Sequence, residues 1–167
     1  EYCARRRKKF AGKSGDLVVL RGVYDTVFAQ NPFLAVDVPF FQAASVLYLS
    51  GINQQDIALL LCESSEILFL PRVDEKTEFW TGKKLGVGSK ESLAQAQKIT
   101  GFKDIRDIAT LDEVVKEHLQ QAKIKKLGAV WFSGKRQYKD FNLKFKKHLQ
   151  YLVRTSGFGK DCLVNVG

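Results

Sequence analysis

Methionine is absent from the 167 residues, and cysteine and histidine are scarce, with three of the first and two of the second. The cysteines, Cys3, Cys62 and Cys162, are odd in number, far apart and without any Cys-x-x-Cys pairing. That excludes a disulfide framework and a zinc knuckle, and leaves reduced thiols in structural positions. His118 and His148 form no His-Glu-x-x-His spacing. His118 falls on an apolar helical stripe and reads as packing, whereas His148 sits among lysines and reads as a solvated face. No serine stands in a Gly-x-Ser-x-Gly setting. The acidic pairs Asp104/Asp107 and Asp112/Glu113 have helix- or cap-like spacings, so a divalent metal site is not expected. The missing methionine carries no functional reading.

Long apolar runs are missing too. Runs such as Ile57 to Cys62 fall far short of the roughly 18 residues that suggest a membrane span, and the charged start lacks the apolar centre of a signal peptide. The expectation is a cytoplasmic protein that does not enter a membrane. At 45% hydrophobic residues, the chain fits one globular domain that buries roughly 68–70% of the surface its unfolded form exposes.

Positive charge is abundant and uneven. The net charge is +9, yet residues 123–160 hold eleven Lys or Arg against the single acid Asp140. A segment of this kind attracts nucleic acid, an acidic surface or a partner domain through its summed field. It is equally the solvated face of a helix.

Along the chain, Tyr2 to Ala11 reads as a helix with a basic outer face, closed by Gly12, and Leu17 to Leu20 as a buried strand. The loop beyond it, with Phe28, Phe33, Val36, Phe40 and Phe41, is expected to be packed. Val46–Ser50, Ile57–Cys62 and Glu66–Leu70 read as three neighbouring strands linked by short turns. Ser89 caps a helix carrying Leu93, Ala96 and Gln97 and closed by Gly101, and Thr110 with Glu113 spells a capping box. The next helix places Leu111, Val114, Val115, His118, Leu119 and Ala122 on one stripe. Ala129 to Phe132 reads as a strand, and Arg136 to Thr155 as a helix with Tyr138, Phe141, Phe145, Leu149 and Leu152 inward and Gly157 as its stop. Cys162 to Val166 is a last strand or the start of a linker. Strands first, then helix alternating with strand, predict an α/β fold with a mixed sheet covered by helices.

Glycine-rich turns offer little chemistry. Gly12-Lys13-Ser14 would need a glycine where Arg7 stands, and a preceding strand where a helix is expected, to serve as a phosphate loop. Gly86-Val87-Gly88-Ser89 could present amides to a phosphate at a helix start, but a plain turn ending in an N-cap is the favoured reading. Gly157 to Lys160 is no stronger.

The most informative stretch runs from Leu68 to Gly86, where a buried apolar strand passes into a charged turn and then into Trp80-Thr81-Gly82-Lys83-Lys84-Leu85-Gly86. It resembles the tryptophan motif of the N-terminal domain of Xaa-Pro aminopeptidases (aminopeptidase P). Tyr2, Arg5 and Arg6 resemble that family's opening, and Pro39-Phe40-Phe41-Gln42 through Tyr48 to Asn53 resembles a second of its elements. The likeness extends to about residue 120. Phe41 stands where the family usually has arginine, and Ala43, Ala44 and Ser45 replace a polar Asn-Ser-Asp, which puts that element's polar contacts in doubt.

The resemblance implies a creatinase N-terminal-like fold, a mixed and roughly six-stranded sheet flanked by helices. Residues 1–160 would be the domain, and 161–167 the start of a linker to an absent C-terminal catalytic domain. The chain alone is then expected to be inactive, with no cofactor of its own. The parent protein would be a manganese metallopeptidase that releases the first residue from Xaa-Pro peptides, with its metal in that absent domain. Implied partners are the catalytic domain, further copies in a homo-oligomer, and proline-containing peptides. Trp80, Thr81, Gly82, Lys83 and Lys84 would control substrate access or subunit contact. An indole is large, rigid and apolar and carries one donor, which suits it to a proline ring. The plainer role for Trp80 is cover for the sheet edge. The alternatives are a creatinase-like peptide- or histone-binding module, and a basic nucleic-acid-binding domain, which the lack of an aromatic-rich binding strand disfavours.

Overall fold

The computed structural model describes residues 2–14, 17–23, 40, 42–73, 78, 83–121, 124, 126–130 and 136–166. Helix α1 (Tyr2–Ser14) leads into strand β1 (Leu17–Arg21), and helix α2 (Ala44–Ser50) precedes the hairpin β2 (Ala58–Cys62) and β3 (Ser65–Leu70). Helix α3 (Lys90–Thr100) leads to β4 (Asp104–Asp107). A 3-10 turn (Ile108–Thr110) then opens α4 (Leu111–Gln121). Strand β5 (Leu127–Ala129), helix α5 (Arg136–Thr155), a 3-10 turn (Lys160–Cys162) and strand β6 (Leu163–Asn165) complete the order. The strands form one six-stranded sheet in the order β4-β3-β2-β1-β5-β6. It is mixed and covered by helices, as the sequence implied.

Central strands β1 and β2 read as unbroken apolar runs because both of their faces are covered. Alternate residues divide between two cores. Leu17, Val19, Ala58, Leu60, Ile67 and Phe69 pack with Val115 and Leu119 of α4 and Phe145, Leu149 and Leu152 of α5. Val18, Leu20, Leu59, Leu61, Leu68 and Leu70 pack with Val46 and Leu49 of α2, Ala96 of α3, and Phe102. The registers Val19 with Leu60 and Leu60 with Ile67 hold each set on its own face.

Several expectations change. Val46–Ser50, expected as a strand, is the end of helix α2. Val46, Leu49 and Ser50 are buried at helical spacing while Leu47 and Tyr48 face solvent, and Gly51 ends the turn at φ 74 with its N–H on the Leu47 carbonyl. The antiparallel trio is therefore β1-β2-β3, with β1 as the third strand. Helix α1 runs past Gly12 to Ser14. Asp107 takes over the cap role read for Thr110: its carboxylate accepts the Ala109 N–H, and the Thr110 hydroxyl donates to the Asp107 carbonyl. Strand β5 lies two residues earlier than expected. Trp131, Phe132 and Ala122 lie outside the described residues, as do Phe28, Phe33, Val36 and Phe41, and so do the side chains of Tyr138 and Phe141. Residues 161–167, expected to open a linker, include β6, which pairs in parallel with β5.

The largest departure is Arg7, which lies within the helix read as basic on its outside yet is only 1% exposed. Its Nε donates to Glu66 at 2.8 Å, one Nη donates to the Leu49 carbonyl at 3.1 Å, and the guanidinium lies 3.7 Å from the centre of the Phe102 ring. Arg6 adds a bond to the Tyr48 carbonyl at 3.2 Å and covers the Tyr48 ring at 4.3 Å. The last carbonyls of α2, which a helix cannot satisfy internally, thus meet two cations from α1 and the Gly51 amide.

Replacing Arg7 with methionine keeps the volume but strands the Glu66 carboxylate and the Leu49 carbonyl. We expect a loss of about 2–4 kcal/mol, below the usual cost of breaking a buried pair because Glu66 is a third exposed. Arg6→Met, at the surface, should cost about 1 kcal/mol or less. Urea midpoints at unchanged slope check this, and equal losses for the two variants would refute it.

Candidate functional site

Five of the six strands point the same way. Strands β1, β5 and β6 are mutually parallel, β3 and β4 are parallel, and only β2 runs against its neighbours. The C-terminal ends Arg21, Leu70, Asp107, Ala129 and Asn165 therefore share one edge, the edge at which open α/β sheets carry ligands. The tryptophan segment leaves this edge directly after β3.

A buried side-chain amide organises the edge. Gln42 is 7% exposed, and its Oε1 accepts the N–H groups of Val23 at 2.7 Å and Ala43 at 2.9 Å, while its Nε2 donates to the Gln54 carbonyl. Its own N–H donates to Asn53 Oδ1, and Asn53 Nδ2 reaches the Phe40 carbonyl. Gly22 makes room for this approach, since a Cβ there would lie 2.8 Å from Gln42 Nε2 and 2.9 Å from the Ile57 carbonyl oxygen. The element around Ala43, Ala44 and Ser45 thus retains polar anchors in Gln42 and Asn53. Sequence reading named both residues but assigned them no role.

Gln54 extends the network to the tryptophan segment. Its Nε2 donates to the Leu85 carbonyl at 2.8 Å and its Oε1 accepts the Leu85 N–H at 2.7 Å, as a neighbouring strand would. Val87 N–H donates to the Pro71 carbonyl, and Gly86 and Gly88 lie against Val73 so closely that a Cβ on either would clash, at 2.7 and 2.5 Å. Both ends of the 71–88 segment are therefore fastened to each other and to the sheet. Trp80, Thr81 and Gly82 lie outside the described residues. Lys83 is exposed, and Lys84, half-buried, donates its backbone N–H to Glu78 Oε1 at 3.3 Å.

Ser89 then caps α3. Its hydroxyl accepts the Ser92 N–H at 3.1 Å and its own N–H donates to Ser92 Oγ at 2.9 Å, so the N-cap reading of 86–89 is the observed one. Glu91 in the same turn is held below the ordinary carboxyl value, first by its own backbone N–H and then by Ser89. Arg106 is held above its usual range by its hydrogen bonds to Asp104.

Other ionisable side chains among the described residues make local contacts. His118 is half-buried with Nδ1 at 2.8 Å from the Val114 carbonyl, and His148 pairs with Asp112 at 2.8 Å. Arg72 reaches Asp107 at 3.3 Å but is largely exposed, which leaves little net energy in the pair. Cys3, Cys62 and Cys162 are free thiols. Among the described residues no group of three or more His, Cys, Asp or Glu could hold a metal ion. None of the described helices is long and apolar enough to cross a membrane.

The family model described as "Aminopeptidase P, N-terminal domain" matches residues 2–127. No curated protein sequence matches the chain. The fold is similar to that of the aminopeptidase PepP of Pseudomonas aeruginosa, with TM-score 0.68 and 16% identity, over 98% of this chain and 35% of that one. Aminopeptidase P from E. coli with the inhibitor Pro-Leu gives the same TM-score of 0.68 and 16% identity, over 98% of this chain and 36% of that one. Proline aminopeptidase P II from Yersinia pestis gives 0.62 and 18%, with 98% and 36% coverage. The chain thus spans little more than a third of the solved chains it resembles, and at these identities the likeness shows the fold.

Removing the Gln54 amide should loosen the base of the tryptophan segment. In Gln54→Ala the Leu85 amide and carbonyl lose their partners, at an expected cost of about 1–3 kcal/mol. Hydrogen exchange should quicken at Leu85 and Val87 while the β1–β2 amides stay protected. Uniform quickening, or none, would count against a local clamp.

Proposed function

As this chain belongs to the aminopeptidase P N-terminal domain family, we propose that it is the non-catalytic N-terminal domain of an Xaa-Pro aminopeptidase. The family match over residues 2–127, on a fold shared over 98% of the chain, carries this reading. In it, the 167 residues fold as an accessory unit, and residues 161–167 lead toward a C-terminal domain that performs hydrolysis. In this reading manganese is held by that C-terminal domain and supplies the chemistry of hydrolysis there. The parent protein would be a cytoplasmic metallopeptidase that takes peptides with proline second. That the similar E. coli enzyme holds the inhibitor Pro-Leu supports this substrate class.

The domain's share of the work would be access and assembly. The segment from Trp80 to Lys84 would approach an active site, in its own chain or in a second copy of a homo-oligomer, and pack its indole against the substrate's proline ring. Support comes from the base of that segment, where Gln54, Gly86 and Gly88 hold Leu85 and Val73 in fixed register. Rigid anchorage is what a specificity element needs.

Two measurements test this. The 167-residue chain with manganese should not turn over an Xaa-Pro peptide that the full-length protein cleaves, and comparable turnover would refute the accessory role. Trp80→Ala in the full-length protein should raise KM for Xaa-Pro peptides or shift the native mass. Unchanged kinetics together with unchanged mass would leave Trp80 a packing residue only.

A further inference from the structure

Helix α5 lies beyond residue 127, where the family match ends, and the aminopeptidase reading does not use its solvent side. Phe145, Leu149, Leu152 and Val153 turn into the core, which leaves Leu143, Lys147, Tyr151 and Arg154 in one row along the outer side, with Lys144 beside it. Two apolar side chains stand in that row, Leu143 at 48% and Tyr151 at 58% exposure. They lie about 12 Å apart along the helix axis. Lys144, Lys147 and Arg154 are exposed around them, and no carboxylate among the described residues pairs with any of the three. Lys146, which makes a contact of its own, is half-buried and stands off the row. The neighbouring acids of α4 are committed elsewhere. Asp112 meets His148 at 2.8 Å, and Glu117 acts on Arg106 of β4 at the far edge of the sheet, so the side of α4 that carries Glu113 and Glu117 is turned from α5. Side chains 143–155 include no acid.

We propose that this side of α5 docks an acidic amphipathic helix of another polypeptide. Leu143 and Tyr151, about two turns apart, take the apolar anchors of such a helix, which recur at a similar interval. Lys144, Lys147 and Arg154 meet the carboxylates that flank those anchors, and the complementary fields set register and speed encounter. A nucleic acid would use the same cations. Yet Tyr151 is the one exposed tyrosine or phenylalanine among the described side chains of α5, too little to stack successive bases, and a leucine offers a phosphate chain nothing. The uneven charge of residues 123–160 then has a use beyond solvation.

The test is a two-dimensional amide NMR titration of the 167-residue chain at low ionic strength, where surface fields are least screened. The probes are a helical peptide of Leu-Glu-Glu-Leu repeats, its Leu-Lys-Lys-Leu counterpart and an oligothymidylate. The acidic peptide should give saturable shifts at Leu143, Lys144, Lys147, Tyr151 and Arg154, and the basic one none. Lys147→Glu should weaken the binding roughly tenfold and Tyr151→Ser roughly threefold. Lys103→Glu, an equal change of charge at an exposed lysine ahead of β4, should alter it by less than about twofold. An absence of saturable shifts, equal shifts with the basic peptide, an affinity indifferent to Tyr151→Ser, equal effects of Lys103→Glu and Lys147→Glu, or tighter binding of the oligothymidylate at these residues would overturn the proposal.

Discussion

The guanidinium of Arg7 meets four separate parts of the chain, since it is carried by α1, pairs with Glu66 at the start of β3, bonds the end of α2 at Leu49, and lies on the ring of Phe102 before β4. Burying a charge is costly unless each of its contacts is made, so the position of one helix becomes conditional on the other three elements. An apolar side chain there could slide, whereas a planar cation with directional donors fixes the register of α1 against the sheet. The helix layer on that face, which also supports Gln42 and the connections leaving the sheet edge, inherits this constraint.

From that layer the order passes outward through amides rather than charges. Gln42 and Gln54 are neutral and can donate and accept at once, which suits them to bridging backbone segments that run without regular pairing. The result is a fixed base for the two described ends of the segment that includes Trp80 in sequence. The other face of the sheet is built differently. Helices α4 and α5 pack there through aliphatic and aromatic contacts, beside a cleft bordered by Arg21 at the end of β1.

Much of this was legible in the residues and some was not. Helix α5 was readable to its limits because Phe145, Leu149 and Leu152 recur at helical spacing and Gly157, at φ 84, stops it. β1 and β2 were readable as short apolar runs. Val46–Ser50 misled because five residues of mixed polarity fit either period, and only the burial of Val46, Leu49 and Ser50 decides for a helix. Arg7 was hidden among five consecutive cations, Arg5 to Lys9, which differ only in the side of the helix they occupy. Gln42 and Gln54 gave no signal either, because glutamine is as common on surfaces as in networks and, Ala43 apart, their side chains meet backbone atoms 12 to 31 residues away. The tryptophan motif pointed to the right family, and the anchors that give it a fixed base became visible only in three dimensions.

In the proposed reading the chain is a scaffold that presents the segment around Trp80, and hydrolysis belongs to a C-terminal domain. Calorimetric titration of manganese tests this most directly, carried out on the 167-residue chain and on the full-length protein under the same conditions. The account predicts saturable uptake by the full-length protein and only dilution heats for the chain. Saturable binding of manganese at a defined stoichiometry by the 167 residues alone would contradict it.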